Sequence, residues 1–186
     1  MGKYYKLTNK DGQSYGGTQW KPGVTHEAEG EGMRFCSSDL LHLYSHPLLA
    51  VFLNPIHANF EEGMRLWEVE AEIVASDRGL KLGTKKATCL QETFLPQVSL
   101  TQKVRFGILC ALQVNLEGKW RDWANNWLSG KDRSERAAGA AARAAAGGAA
   151  AGAALAAVWA ARAAAWAASS SELDLIALAE EAMKEA

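Results

Sequence analysis

The sequence lacks the spacings that mark the common catalytic centres. It has no His-Glu-x-x-His pair, no Gly-x-Ser-x-Gly elbow, and neither a Walker nor a Rossmann glycine pattern. Zinc proteases, serine hydrolases of the elbow type and the usual phosphate-cradling nucleotide enzymes are therefore not indicated. Cysteine is scarce: Cys36, Cys89 and Cys110 are odd in number, far apart and free of any Cys-x-x-Cys spacing. That argues against a disulfide framework and a structural zinc site, and predicts three reduced, mostly buried thiols. Excess charge is missing too. With a net charge of −1, the small Lys81, Lys85, Lys86 cluster gives little footing for nucleic acid. No charged N-terminal region precedes an apolar core, and no long hydrophobic run occurs, so a soluble, cytoplasmic chain with no membrane partner is expected. No cofactor is implied.

Alanine is what the chain has in excess. Residues 137–168 hold 22 alanines in 32 positions, so the large side chains available for a core lie mostly within residues 1–128. The expected organisation is an α+β domain over residues 1–130 and an Ala-rich helical tail over 131–186. The architecture read from the pattern is a small antiparallel β-sheet with a short helical insertion, followed by helices and a long Ala-rich C-terminal helix.

The stretch from Leu40 to Val74 organises the rest. Leu66 to Ile73 alternates with period two, placing Trp67, Val69, Ala71 and Ile73 on a core face and Glu68, Glu70 and Glu72 opposite. Upstream, Pro47 to Leu53 reads as a short buried helix, with Pro47 in the first turn and Asn54-Pro55 as the stop. Tyr4 to Thr8 and Ser14 to Trp20, joined by Asn9-Lys10-Asp11-Gly12, read as a hairpin, with a bulge at Gly16-Gly17. Val24 to Glu27 and Met33 to Cys36 suggest two strands joined by an exposed, mobile loop. Gly79 to Gly83 and Ala87 to Phe94 complete the strand candidates.

From Ser99 the period becomes helical. Ser99 and Gln102 form a capping box for a helix running to about Leu116 and carrying Leu100, Val104, Ile108, Ala111 and Leu112. A second helix follows with Trp120, Trp123 and Trp127 on one face, a packing seam rather than a stacking platform. A last amphipathic helix is capped by Ser171 and Asp174. Within the tail, Leu155, Trp159, Arg162 and Trp166 form a stripe that predicts a homo-oligomer, because so alanine-rich a helix has little to bury alone.

The segments Tyr5-Lys6-Leu7-Thr8-Asn9, Tyr15-Gly16-Gly17-Thr18-Gln19-Trp20, His46-Pro47-Leu48-Leu49-Ala50 with Asn54-Pro55, and Arg65-Leu66-Trp67-Glu68-Val69-Glu70, together with His26, resemble a family of short uncharacterised phage and prophage proteins with alanine-rich tails. The resemblance covers about residues 4–128, and the tail by composition. It implies no activity residue by residue. It implies a phage setting, in which small non-enzymatic proteins that bind host signalling nucleotides or defence proteins are common.

These residues lead to an expected site lined by Tyr15, Trp20, His26, His42, His46, Asn54, His57 and Arg65. Aromatic faces would stack a base, and Arg and His would meet the phosphate of an anionic, nucleotide-like small molecule. Such a protein would act as a sponge for a host immune signal. Two alternatives stand beside it: an ADP-ribosyltransferase-like enzyme using His26 or a tyrosine with one of Glu68, Glu70 or Glu72, and an inhibitor of a host defence protein. His42 and His46 would be neighbours on a helix over residues 39–46, but no acidic partner has metal-ligand spacing, so no metal is expected.

Overall fold

The β-favouring N-terminal run forms β1 (Gly2–Thr8), which the Asn9 turn ends. Asn9 Oδ1 accepts the Asp11 and Gln13 amides at 3.0 and 2.8 Å, and Gly12 takes φ 77°, the left-handed geometry this turn requires. The computed structural model describes residues 1–54, 60, 62–113, 118–134 and 173–184, and the chain divides into two compact units, Met1–Gln97 and Val98–Ala186. The expected boundary at residue 130 falls inside the second unit.

In the first unit, β1 is followed by β2 (Thr25–Glu27), β3 (Leu41–Leu43), α1 (Pro47–Phe52), β4 (Arg65–Ala71), β5 (Ala75–Ser76), β6 (Leu82–Thr84) and β7 (Lys86–Thr93). They build two antiparallel sheets, one ordered β1-β4-β7-β2 and one ordered β3-β6-β5. This is an α+β architecture, as the turn spacing and period change predict.

β4 forms for the reason its sequence states. Trp67, Val69 and Ala71 are buried, Ile73 is partly buried beyond the strand, and Glu70 and Glu72 are exposed. Its buried face packs with Trp20, Leu43, Ala87 and Cys89. The bulge lies elsewhere than expected. The β4–β7 register shifts between Glu68 and Val69, leaving Leu90 without an opposite residue, so Cys89 and Ala87 both face the core.

Gly16 and Gly17 instead form the tip of a tight turn, both at positive φ, with the Gly17 amide donating to the Ser14 carbonyl at 3.0 Å. Ser14 to Trp20 is therefore not a second strand paired with β1, since its backbone bonds stay within the turn, Ser14 to Thr18, Trp20 to Gly12 and the Gln13–Gln19 bridge. Met33 to Cys36 is not a strand either. The loop around it is stitched down by Lys85, whose ammonium donates to the carbonyls of Gly30 (3.0 Å), Gly32 and Asp39 (2.7 Å).

α1 matches its prediction. His46 caps it, Nδ1 accepting the Leu48 amide at 3.3 Å, Pro47 opens the first turn, and Leu49 to Phe52 are buried. Residues 41–43 pair with β6 rather than continuing a helix, so the i, i+4 relation of His42 and His46 does not arise.

The second unit contains α2 (Leu100–Leu112), α3 (Lys119–Leu128) and α4 (Leu175–Met183). Both halves of the Ser99–Gln102 capping box are present, at 3.1 and 2.8 Å. α2 ends at Leu112 rather than near Leu116, and Leu100 is exposed because it lies in the first turn, away from the Phe106, Ile108, Cys110, Ala111 face. α4 is capped by Asp174 accepting the Ala177 amide at 2.9 Å, and it packs on α2 through Leu175, Ala179 and Ala182. Trp120 and Trp127 are buried, and Trp120 meets Trp123 at 6.0 Å between ring centroids. Ser171 and the Ala-rich stretch with Leu155, Trp159, Arg162 and Trp166 lie outside the described residues.

Candidate functional site

Most of the side chains expected to line one pocket in the first unit already have partners within the fold. Trp20 is 1 % exposed and its indole N–H donates to Ser14 Oγ at 3.0 Å, so its face is closed to a ligand base. His26 leans on it at 4.7 Å and its Nε2 bonds the Gln19 carbonyl at 2.9 Å. Lys6 joins this group, Nζ lying 5.3 Å from the Trp20 ring centroid and donating to the His42 carbonyl at 2.9 Å. Burial lowers the Lys6 ammonium to about 8.

Asn54 is buried and holds Phe60 at both ends: its amide donates to the Phe60 carbonyl at 2.8 Å, and its carbonyl accepts the Phe60 amide at 2.9 Å. Arg65 forms a two-point pair with Glu92, at 2.9 and 2.5 Å, and lies over the Trp67 ring at 4.5 Å. That pair holds the Glu92 carboxyl below its ordinary range and raises Arg65. His46 is the α1 cap. Tyr15 is 87 % exposed beside Gly16, an aromatic ring available to a partner. His57 lies outside the described residues.

His42 stands in a different cluster. Its ring stacks on Phe35 at 5.6 Å, and its Nε2 accepts the Cys36 amide at 3.3 Å, which fixes Nδ1 as the protonated nitrogen. Burial, with the Lys6 and Lys81 charges nearby, lowers its pKa to about 4, so the ring is neutral near pH 7 and offers no cation to a phosphate. Lys81 is buried, with Nζ 3.0 Å from Cys36 Sγ and 5.4 Å from the Phe35 centroid. Cys36 is exposed, unlike Cys89 and Cys110, whose burial pushes their thiols up to about 11 and about 12. Two of the three thiols are thus buried, as expected, and Cys36 is the exception because it sits in an exposed turn rather than a strand.

The second unit carries a recess that the sequence reading did not name. It has a volume of about 250 Å³ and is lined by Ser99, Thr101, Gln102, Arg105, Arg133, Ala182 and Lys184. The start of α2 and the end of α4 meet there. Arg105 donates to the Glu181 carbonyl and carboxylate, both at 3.3 Å, and Lys184 pairs with the same carboxylate at 2.6 Å. Lys184 and Arg105 together hold the Glu181 carboxyl below its ordinary range. Arg133 lies over the Trp127 ring at 4.9 Å, its Nε donating to the Trp127 carbonyl at 3.1 Å. Arg105, Arg133 and Lys184 thus line one recess beside a helix N-terminus, Arg105 and Lys184 sharing the Glu181 carboxylate, an electrostatic arrangement suited to an anion. Only the basic residue types gave a sequence signal here, because Arg105 and Lys184 meet through the α2–α4 packing.

Among the described residues no group of three potential metal ligands converges, and no helix is long and apolar enough to cross a membrane. No family model, no curated protein and no solved structure matches this chain.

Proposed function

We propose that the protein is a non-enzymatic binding protein that sequesters a small, anionic, nucleotide-like ligand, in the manner of a phage protein that soaks up a host immune signal. The observation that carries this reading is the recess lined by Arg105, Arg133 and Lys184, in which Glu181 pairs with Arg105 and Lys184 only. Its volume decides which part of a ligand it takes. Pockets that enclose a whole drug-sized ligand run from about 300 Å³ upward, so 250 Å³ suits the phosphate end, with the base left at the mouth. Ser99 and Thr101 add hydroxyls and Gln102 an amide to complement phosphate oxygens.

The first-unit residues enter this proposal differently. Trp20, His42 and Asn54 support their own fold, Tyr15 is exposed on its glycine turn, and none of them is part of the recess.

Calorimetry and thermal melting across a panel of cyclic and linear nucleotides test the reading, since a ligand that binds only the folded state must raise its stability. Arg133→Gln and Lys184→Gln should each weaken binding by about tenfold or more, the worth of one charge-assisted contact. Binding by none of the panel would overturn the proposal. Release of nicotinamide from a nicotinamide dinucleotide, abolished by Glu70→Gln, would replace it with the enzyme reading.

A further inference from the structure

Two residues other than glycine adopt left-handed backbone angles among the described residues, Cys36 at φ 59° and Arg78 at φ 50°. Each sits in one of two turns that meet. The first turn carries the exposed Cys36 thiol, with its amide held by His42 Nε2 at 3.3 Å. The second is closed by the Asp77 amide on the Lys81 carbonyl at 2.9 Å, and it delivers Lys81 Nζ to within 3.0 Å of Cys36 Sγ. Such angles are uncommon for residues with a Cβ, so the surrounding contacts must hold them in place.

The Lys81 side chain is 8 % exposed, with Asp77 Oδ2 at 3.8 Å and the Phe35 ring centroid at 5.4 Å around its nitrogen. Water has little access to that amine, while oxidants reach the sulfur from outside. The arrangement therefore pairs an accessible nucleophile with a sequestered second one at contact distance. The neutral His42 ring holds the cysteine backbone without competing for either group.

We propose that Cys36 and Lys81 form a reversible, peroxide-driven covalent link, so that this corner is a redox modification site. In the first step the Cys36 sulfur attacks one oxygen of hydrogen peroxide. The S–O bond forms as the O–O bond breaks, the second oxygen leaves as water, and sulfur is oxidised by two electrons to a sulfenic acid. In the second step the Lys81 nitrogen displaces the hydroxyl from that sulfur. The ammonium first gives one proton to solvent, the freed lone pair forms the S–N bond as the S–O bond breaks, and the hydroxyl leaves as water with a second proton from the nitrogen. The product is a sulfenamide, which protects sulfur from the irreversible sulfinic and sulfonic acids. A cellular thiol reverses it: attack at sulfur frees the lysine amine and leaves a mixed disulfide, which a second thiol resolves.

The link ties the loop bearing Phe35 and Cys36 to the turn before β6, while burial keeps Cys89 and Cys110 out of reach of the oxidant. The test is intact-mass spectrometry and peptide mapping of the full chain after brief treatment with hydrogen peroxide. The expected result is the loss of two hydrogens, a Cys36 peptide joined to a Lys81 peptide that trypsin no longer cuts at Lys81, and restoration by a reducing thiol. Lys81→Arg should abolish the joined peptide and let Cys36 gain oxygen atoms progressively. Cys36→Ser should show no mass loss at all. Gain of oxygen at Cys36 in the wild-type chain with no joined peptide would overturn the proposal, as would a joined peptide formed through Lys85 or Lys86. The wild-type map decides the matter even if a variant fails to fold.

Discussion

The Trp67 indole N–H donates to Thr8 Oγ1 at 2.9 Å inside the first unit, with Trp67 1 % and Thr8 0 % exposed. The bond crosses from β4 to β1 and satisfies the one polar atom of a large buried ring. Thr8→Val keeps the shape and strips the acceptor, leaving a buried donor unpaired. We predict a loss of about 1–3 kcal/mol in urea unfolding, the cost of one unsatisfied buried group. A change within about 0.5 kcal/mol of zero, the range of surface substitutions, would show that the indole finds another acceptor.

His42 makes stability depend on mild acid. Its folded value of about 4 lies below the ordinary 6.5, so between these values the unfolded chain binds more protons than the folded one. Stability therefore rises with pH across that window and is lost as pH falls from about 6.5 toward about 4. The contribution is about 1–2 kcal/mol after discounting for partial exposure. Unfolding midpoints measured across this range should fall more steeply for the wild-type chain than for His42→Gln. Equal slopes would contradict the assignment.

Lys85 holds a loop by its own ammonium. Lys85→Met removes the donor shared by the Gly30, Gly32 and Asp39 carbonyls. Amide exchange should quicken by about tenfold within residues 28–40, such as at Gly30, whose amide bonds the Ser38 carbonyl, and remain slow in β4 and β7. Uniform acceleration across the first unit would mean that Lys85 supports the whole fold rather than this loop.

Self-association is tested best without truncation. Cutting the chain at Gly130 would strip α4 from α2 and break the Arg105–Glu181 pair, so a change of mass would be ambiguous. Trp159→Ala with Trp166→Ala in the full chain removes the large rings of the proposed stripe and leaves α4 in place. Light scattering at tens of micromolar should show an oligomer for the wild-type chain and a shift toward monomer for the double variant. A monomeric wild-type chain would sink the idea.

What the sequence made legible is local. The alternation over residues 66–73, the His46-Pro47 helix start and the Ser99–Gln102 box each depend on neighbours a few positions away, and each appears as read. His42 escaped because a three-residue strand carries too little pattern, and its partner is Gly83, far along the chain. The glycine pair reads as a bulge but forms a turn, because both conformations use positive φ. The Cys36–Lys81 contact and the Arg105, Arg133, Lys184 recess join residues through tertiary packing, which no spacing records.

The register of β1 has a consequence for how the chain is made. Its residues pair with Arg65–Ala71, and Thr8 lies 57 positions before Arg65. At synthesis rates of about 5–20 residues per second, β1 is out for roughly 3 to 11 s before the strand it pairs with exists. During that interval the Tyr5–Tyr44 bridge is the backbone pairing open to β1, and the ribosome-tethered chain offers an otherwise unpaired, aromatic-rich strand to whatever chaperone passes. The central sheet therefore closes late, after β4 has emerged.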